Sequence, residues 1–206
     1  MSETVTAPRS ITVSLSDIED DSPSAMSCGR IGMFCLIIAE SAIFAIFVVA
    51  YIFYLGRSLS GPTPRDVLEV PIVNTVCLLS SSATISMAVR SLRKGQKKNF
   101  VAWWGATLVL GIEFLAGTSL EWKHLIQDAG LTMSTNLFGT TYFSLVGLHA
   151  AHVLVGLALL LVVFLLALRK VVGTEHADRV EVLALYWHFV DVIWVVVFTV
   201  VYLVGR

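Results

Sequence analysis

Five long apolar stretches, separated by short polar connections, dominate the hydropathy pattern of the chain. They run over about residues 31–55, 70–92, 100–120, 138–168 and 183–204. Each is close to or above the roughly 20 residues that a helix needs to cross a bilayer core. The connections are short enough to force neighbouring helices antiparallel. The pattern predicts an all-α polytopic membrane protein: five transmembrane helices in one bundle over residues 29–206, preceded by a polar, acidic tail over residues 1–28. That tail lacks the basic start and apolar stretch of a secretory signal, and a mobile segment is expected there.

Local signals fit these edges. Ser27 and Gly29 stand at the entry to the first span, Ser60-Gly61-Pro62-Thr63-Pro64 reads as an irregular connection, and Pro71 opens the second span. Gly173 and Thr174 break the chain after the fourth. Gly105, Gly111, Gly117, Gly147 and Ala151 would let helices approach closely. Trp122 is expected in the interfacial aromatic belt, with His124 facing solvent.

Composition agrees: 206 residues, 56% hydrophobic and 14% charged, with mean hydropathy +0.82. The net charge of −1 and the lack of a long basic tract give no sign of a nucleic-acid partner. Cys28, Cys35 and Cys77 have no paired spacing; Cys35 and Cys77 fall inside spans and read as small packing residues. Of the 14 Lys and Arg residues, ten fall on one side of a five-helix topology: Arg9, Arg30, Arg90, Arg93, Lys94, Lys97, Lys98, Arg169, Lys170 and Arg179. The positive-inside rule therefore predicts a cytoplasmic N-terminus and an outside C-terminus. Arg90, Arg93, Lys94, Lys97 and Lys98 would favour anionic headgroups at the cytoplasmic face, and serve equally well simply to set topology.

The chemistry of interest lies inside the spans. Tyr186-Trp187-His188-Phe189-Val190-Asp191 interrupts the fifth apolar run, and Glu40 interrupts the first. At 1.5 Å per residue, Glu40 lies roughly 14 Å in, and His188 and Asp191 roughly 8 and 12 Å in. His149 and His152 of the fourth span lie about 14 and 9 Å from the same face of a ~30 Å core. These five residues are therefore expected to share one layer of the inner leaflet. Such a layer can be a proton relay, a haem or metal site, a lipid-headgroup pocket, or a hydrogen-bond knot that fixes helix register. Too few donors converge for zinc or copper, and His149 and His152 are too close on one helix to be both axial ligands of a haem. A stand-alone b-type cytochrome and a small proton-coupled transporter remain alternatives, although the outer half of the fifth span offers only Thr199 and Tyr202 as polar groups. Burial favours the uncharged form of Glu40, and a protonated Glu40 hydrogen-bonded to an imidazole of the fourth span is expected. Glu113 is a second candidate for the same treatment.

Several stretches also carry a resemblance. Gly32-Met33 with Ala39-Glu40-Ser41, then Leu68-Glu69-Val70-Pro71-Ile72-Val73-Asn74-Thr75 with Leu78-Leu79-Ser80-Ser81, then Gly147-Leu148-His149-Ala150-Ala151-His152-Val153-Leu154-Val155-Gly156, and finally Tyr186 to Trp194, follow one another in order from about residue 29. Together they resemble subunit III of the haem–copper terminal oxidases, in the short five-helix bacterial form that includes quinol oxidases. The family's larger members have seven helices; in some complexes an extended subunit I carries the missing pair. The resemblance implies a subunit of the bacterial cytoplasmic membrane without redox chemistry of its own. It would pack directly on subunit I, with subunit II and small subunits in the same complex, and the haems and copper would sit in those partners. Phospholipid binding, protection against turnover inactivation, support of proton uptake and an oxygen entry route are implied as well. By position, Glu40 matches the family's buried, carbodiimide-reactive carboxyl. His149, His152, His188 and Asp191, with Trp187 beside them, match the polar positions near its lipid cleft.

Overall fold

The computed structural model describes residues 28–58, 61–68 and 70–205. Residues 1–27 of the tail expected over 1–28, and Leu59, Ser60, Glu69 and Arg206, lie outside the described residues. Helix α1 spans Cys28–Tyr54, the one-turn α2 Pro64–Val67, α3 Ile72–Arg93, α4 Lys97–Gln127, α5 Leu137–Leu168 and α6 Ala177–Phe198. The chain then widens into π geometry over Thr199–Val204. All described regular structure is helical, and five of the helices are long and apolar enough to cross a membrane.

Two spans outrun their apolar stretches. The third continues from 120 to Gln127, because Glu121 and His124 have polar neighbours that let the helix leave the apolar zone intact. The fifth begins at Ala177, because Glu181 is neutralised by arginines. Hydropathy marks where the membrane ends; the backbone stops only where its hydrogen bonds are replaced.

The turn between α3 and α4 shows such a replacement. Gly95 takes φ +71°, a conformation that costs other L residues, and its N–H reaches Leu92 O at 2.9 Å while Gln96 N–H reaches Ser91 O at 2.9 Å. This double bond is the Schellman closure, and it reverses the chain within a few residues. α3 and α4 then pack along their length; α4 packs on α5, α5 on α6, α6 back on α3, and α1 on α5 and α6.

At the basic end of the bundle, Glu181 of α6 accepts from both Arg30 of α1 and Arg93 of α3, with Asp178 3.8 Å from each guanidinium. At the other end, Glu121 of α4 accepts from Tyr142 of α5 at 3.1 Å and Tyr202 at 2.7 Å. One carboxylate thus fastens three elements at each end. Arg57 at the far end of α1 lies over the Phe53 ring, 4.0 Å from its centroid.

The core between these fastenings is built on Trp187. The indole is fully buried. A Cβ on Gly111 of α4 would lie 2.9 Å from its Cη2, and one on Gly156 of α5 2.9 Å from its Cε3 and Cζ3. Only glycine leaves the ring its slot between these two helices. Trp187 Nε1 donates to Ser81 Oγ of α3 at 2.7 Å, so one side chain of α6 fixes α3, α4 and α5. Two cysteine expectations divide here: Cys77 is partly covered, whereas Cys35 is exposed on α1 instead of packed. Trp122 is partly buried, edge-on against Phe143 of α5 at 5.6 Å between centroids.

Candidate functional site

The intramembrane ionisable residues fall into three places. In the first, His152 Nε2 of α5 lies 3.1 Å from Glu40 Oε2 of α1. His152 Nδ1 is 2.8 Å from Leu148 O, the backbone carbonyl one turn earlier. A carbonyl can only accept, so Nδ1 carries hydrogen, and the Nε2 contact needs one further proton, on Glu40 or on Nε2. The pair therefore holds its proton as a neutral unit: carboxylic acid with imidazole, or carboxylate with imidazolium. Tyr186 Oη donates to His152 O at 3.4 Å. The pair edges a groove of about 320 Å³ between α1 and α5, walled by Met33, Leu36, Val155 and Leu159. A groove with aliphatic walls and one polar station suits an amphiphile.

Glu40→Gln is expected to leave assembly largely intact, because the amide keeps both size and hydrogen bonding. Glu40→Ala should destabilise the α1–α5 contact by about 1–3 kcal/mol, the cost of an abandoned hydrogen-bond partner with little access to water. The side chains of Glu40 and His152 are 24% and 15% exposed, which favours the lower end of that range. Thermal unfolding in detergent ranks the two; an alanine variant as stable as the glutamine variant would refute the pairing.

The second place joins α3 and α6. Ser82 Oγ donates to Asp191 Oδ2 and lies 2.9 Å from His188 Nδ1. A hydroxyl has one hydrogen; with that given to Asp191, His188 Nδ1 must be the donor to Ser82. The three groups form a directed chain, imidazole to hydroxyl to carboxyl. His188 Nε2 is 3.3 Å from Ser86 Oγ, at the floor of a groove of about 330 Å³ whose mouth carries Arg90, Arg93 and Glu181. Asp191 is 3% exposed, and its Oδ1 has no partner among the described residues.

His149 is the third. It is fully buried, and neither ring nitrogen has a partner among the described residues. Trp194, Phe114 and Phe44 surround it at centroid distances of 5.0, 5.7 and 6.4 Å. The residues expected to share one layer fall into three groups: Glu40 and His152 meet, His188 and Asp191 are joined through Ser82, and aromatic rings enclose His149. Depth along a helix does not give azimuth, and these residues point to different neighbours. His149 and His188 do not face each other as an axial pair would. Among the described residues Glu113 has Cys77 of α3, not an imidazole, as its polar neighbour.

The basic residues lie where α3 ends and α4 begins. Arg90 and Arg93 rim the α3–α6 groove, while Lys97 and Lys98 join Lys170 around a second, apolar-floored groove of about 320 Å³ that includes Phe100, Val101 and Leu168. Lys94 caps the end of α3 with its N–H to Arg90 O at 3.2 Å. His124 is mostly exposed, 3.7 Å from Asp128.

Sequence reasoning did not single out Ser82 or Ser86. They are spaced one turn apart, and neither is anomalous until its partner is known.

The family model for cytochrome c oxidase subunit III matches residues 18–206. The chain is 39% identical over 180 residues to cytochrome c oxidase subunit 3 of Synechocystis sp., covering 84% of this chain and 74% of that one. It is 36% identical over 177 residues to cytochrome c oxidase subunit 3 of Alkalihalophilus pseudofirmus, covering 85% and 86%. It is 35% identical over 176 residues to cytochrome bo(3) ubiquinol oxidase subunit 3 of Pseudomonas aeruginosa, covering 84% of each. The match takes in all five helices that are long and apolar enough to cross a membrane among the described residues, and all three polar places described above, and on that extent the chain belongs to the cytochrome c oxidase subunit III family.

Proposed function

We propose that this chain is the non-redox subunit III of a proton-pumping haem–copper oxygen reductase in the aerobic respiratory chain of a bacterial cytoplasmic membrane. It packs on subunit I, shares the complex with subunit II and small subunits, stabilises the assembly and supports proton uptake while oxygen is reduced to water. Haems and copper reside in the partner subunits, and this chain supplies no catalytic centre. Family membership supports this reading, and so does the gathering of Arg90, Arg93, Lys97, Lys98 and Lys170 at one end of the bundle. By the positive-inside rule that end is cytoplasmic, which puts the N-terminus inside and the C-terminus outside.

The observation that carries the reading is the Glu40–His152 pair at the edge of an aliphatic groove. A proton held as a neutral unit is compatible with hydrocarbon, where a lone charge is not. Phospholipid is the proposed occupant of that groove, with a second lipid site where Lys97, Lys98 and Lys170 rim an apolar floor. His149 and Trp187 act as structural members of the polar interior, and His188 and Asp191, bridged by Ser82, tie α3 to α6 near its cytoplasmic side.

The test is biochemical. Pull-down of the tagged chain from membranes in mild detergent should recover a haem-bearing subunit I, and the chain purified alone should show no haem or copper absorbance. Recovery as a solitary protein with its own bound haem would overturn the proposal.

A further inference from the structure

The groove between α3 and α6 leads from the basic end of the bundle to a buried acid. Its mouth carries Arg90, Arg93 and Glu181, and its floor carries Ser86 and His188. Behind the floor, His188 Nδ1 lies 2.9 Å from Ser82 Oγ, and Ser82 Oγ meets Asp191 Oδ2. On the groove side, His188 Nε2 lies 3.3 Å from Ser86 Oγ, whose own hydrogen goes to Ser82 O at 2.9 Å. Arg30 of α1 also reaches Glu181 at the mouth, 3.8 Å from Asp178. The acids and histidines of the helices around α6 are engaged away from this column. Glu40 of α1 pairs with His152 of α5, aromatic rings enclose His149 of α5, and Glu113 of α4 lies beside Cys77. Past Asp191, Trp194 Nε1 donates to Thr75 Oγ1 at 3.2 Å, and an indole N–H only donates, so it relays nothing. Among the described residues the polar column therefore opens at one face and ends blind at Asp191.

The hydrogens of this column can be counted. With Ser86 committed to its own helix, the Nε2 contact needs a hydrogen on Nε2. Two arrangements then complete every contact. In one, an imidazolium donates at both nitrogens and Ser82 donates to a carboxylate. In the other, a carboxylic acid donates to Ser82 and Ser82 donates to Nδ1. Both hold the same number of protons. Passage from the first to the second breaks the Nδ1–H bond and forms a new O–H bond on Ser82, while the former Ser82 hydrogen moves to Asp191 Oδ2. Removal of one proton leaves Nε2 bare, and Ser86 restores that contact by turning its hydroxyl from Ser82 O to Nε2. Loading and discharge thus differ by one proton and the rotation of one hydroxyl.

We propose that the α3–α6 column is a proton-exchange site: a proton from water in the groove enters at His188 Nε2 and is stored, through Ser82, on Asp191. It is a side branch open to one face, not a path across the membrane. This inference rests on the oxidase reading, to whose proton uptake it adds a store, and on the cytoplasmic placing of the Arg90 and Arg93 end.

Infrared difference spectroscopy of the full oxidase complex in proteoliposomes tests the store. Wild-type minus Asp191→Asn spectra isolate the Asp191 carboxyl, because the amide keeps the size of the acid but cannot take its proton. A pH step on the Arg90 and Arg93 side should make a carboxylic-acid C=O band grow and fade reversibly. A band indifferent to pH, one that follows only the opposite side, or no such band at any pH would overturn the inference. Exchange in deuterium oxide reads the route. Ser82→Ala should slow deuterium uptake at Asp191 by about tenfold or more, and Ser82→Thr, which keeps the hydroxyl, should restore it. His188→Gln should slow uptake in the same way while leaving Ser82 in place, which keeps the route testable if the alanine variant does not fold. Wild-type uptake rates in Ser82→Ala or His188→Gln would also sink the inference. Failure of the wild-type chain to copurify with a haem-bearing subunit is a different result: it would refute the oxidase reading, and the same spectra of the full chain in liposomes would decide the store separately.

Discussion

Trp187→Ala is expected to cost the bundle about 3–5 kcal/mol, the range for truncating a large buried ring. The indole touches α4 at Gly111 and α5 at Gly156, and donates to Ser81 of α3 at 2.7 Å. In a bilayer the loss is one of packing, since lipid tails are as apolar as the cavity left behind. Three helix contacts therefore loosen together, and the chain should both melt earlier in detergent and leave the purified complex. Trp187→Phe should fall between wild type and alanine, because a smaller ring keeps part of the wedge but loses the donor to Ser81. Gly111→Ala probes the slot from the other side. Its Cβ would approach Leu157 Cδ2 to 2.7 Å, and overpacking of this kind costs about 1–3 kcal/mol. Combined with Trp187→Phe, that methyl gains room, so the double variant should be more stable than the sum of the singles predicts. Additivity to within about 0.5 kcal/mol would mean that the two residues do not share a slot.

That slot also shows what a sequence can and cannot disclose. The five spans are readable because apolar length is a one-dimensional property. Their ends are not, because Glu121 and Glu181 continue as helix only through tyrosines and arginines distant in the chain. Glu40, His152, His188 and Asp191 stand out because ionisable residues are rare in hydrocarbon. Ser82 does not, since a lone serine in an apolar helix is unremarkable, and only the register of α3 against α6 makes it the bridge between His188 and Asp191. Gly111 could be marked as a point of close approach, but what approaches it could not. His149 is the sharpest difference. It faces Phe44, Phe114 and Trp194 instead of the other ionisable groups.

Asp191→Ala is expected to destabilise the α3–α6 contact by about 1–3 kcal/mol, because Ser82 loses its acceptor at a site with little water to replace it. Asp191→Asn should be mild, since the amide oxygen still accepts. Ser82→Ala is the informative companion. It removes the hydroxyl but leaves imidazole and carboxyl in place, so it separates the bridge from the groups it joins. In the chain from His188 to Ser82 to Asp191, neither end can satisfy the other once the middle is gone. The two substitutions should then be strongly coupled: after Ser82→Ala, Asp191→Ala should cost less than it does in wild type, by about 0.5–3 kcal/mol. Thermal unfolding of the four proteins in one detergent measures that term. A coupling near zero would place Asp191 outside the chain and make the contact of Ser82 with His188 a bond between two elements only. The sign matters as well. A double variant worse than the sum of its singles would mean that Ser82 and Asp191 each compensate for loss of the other through separate partners, which a single bridging hydroxyl cannot do.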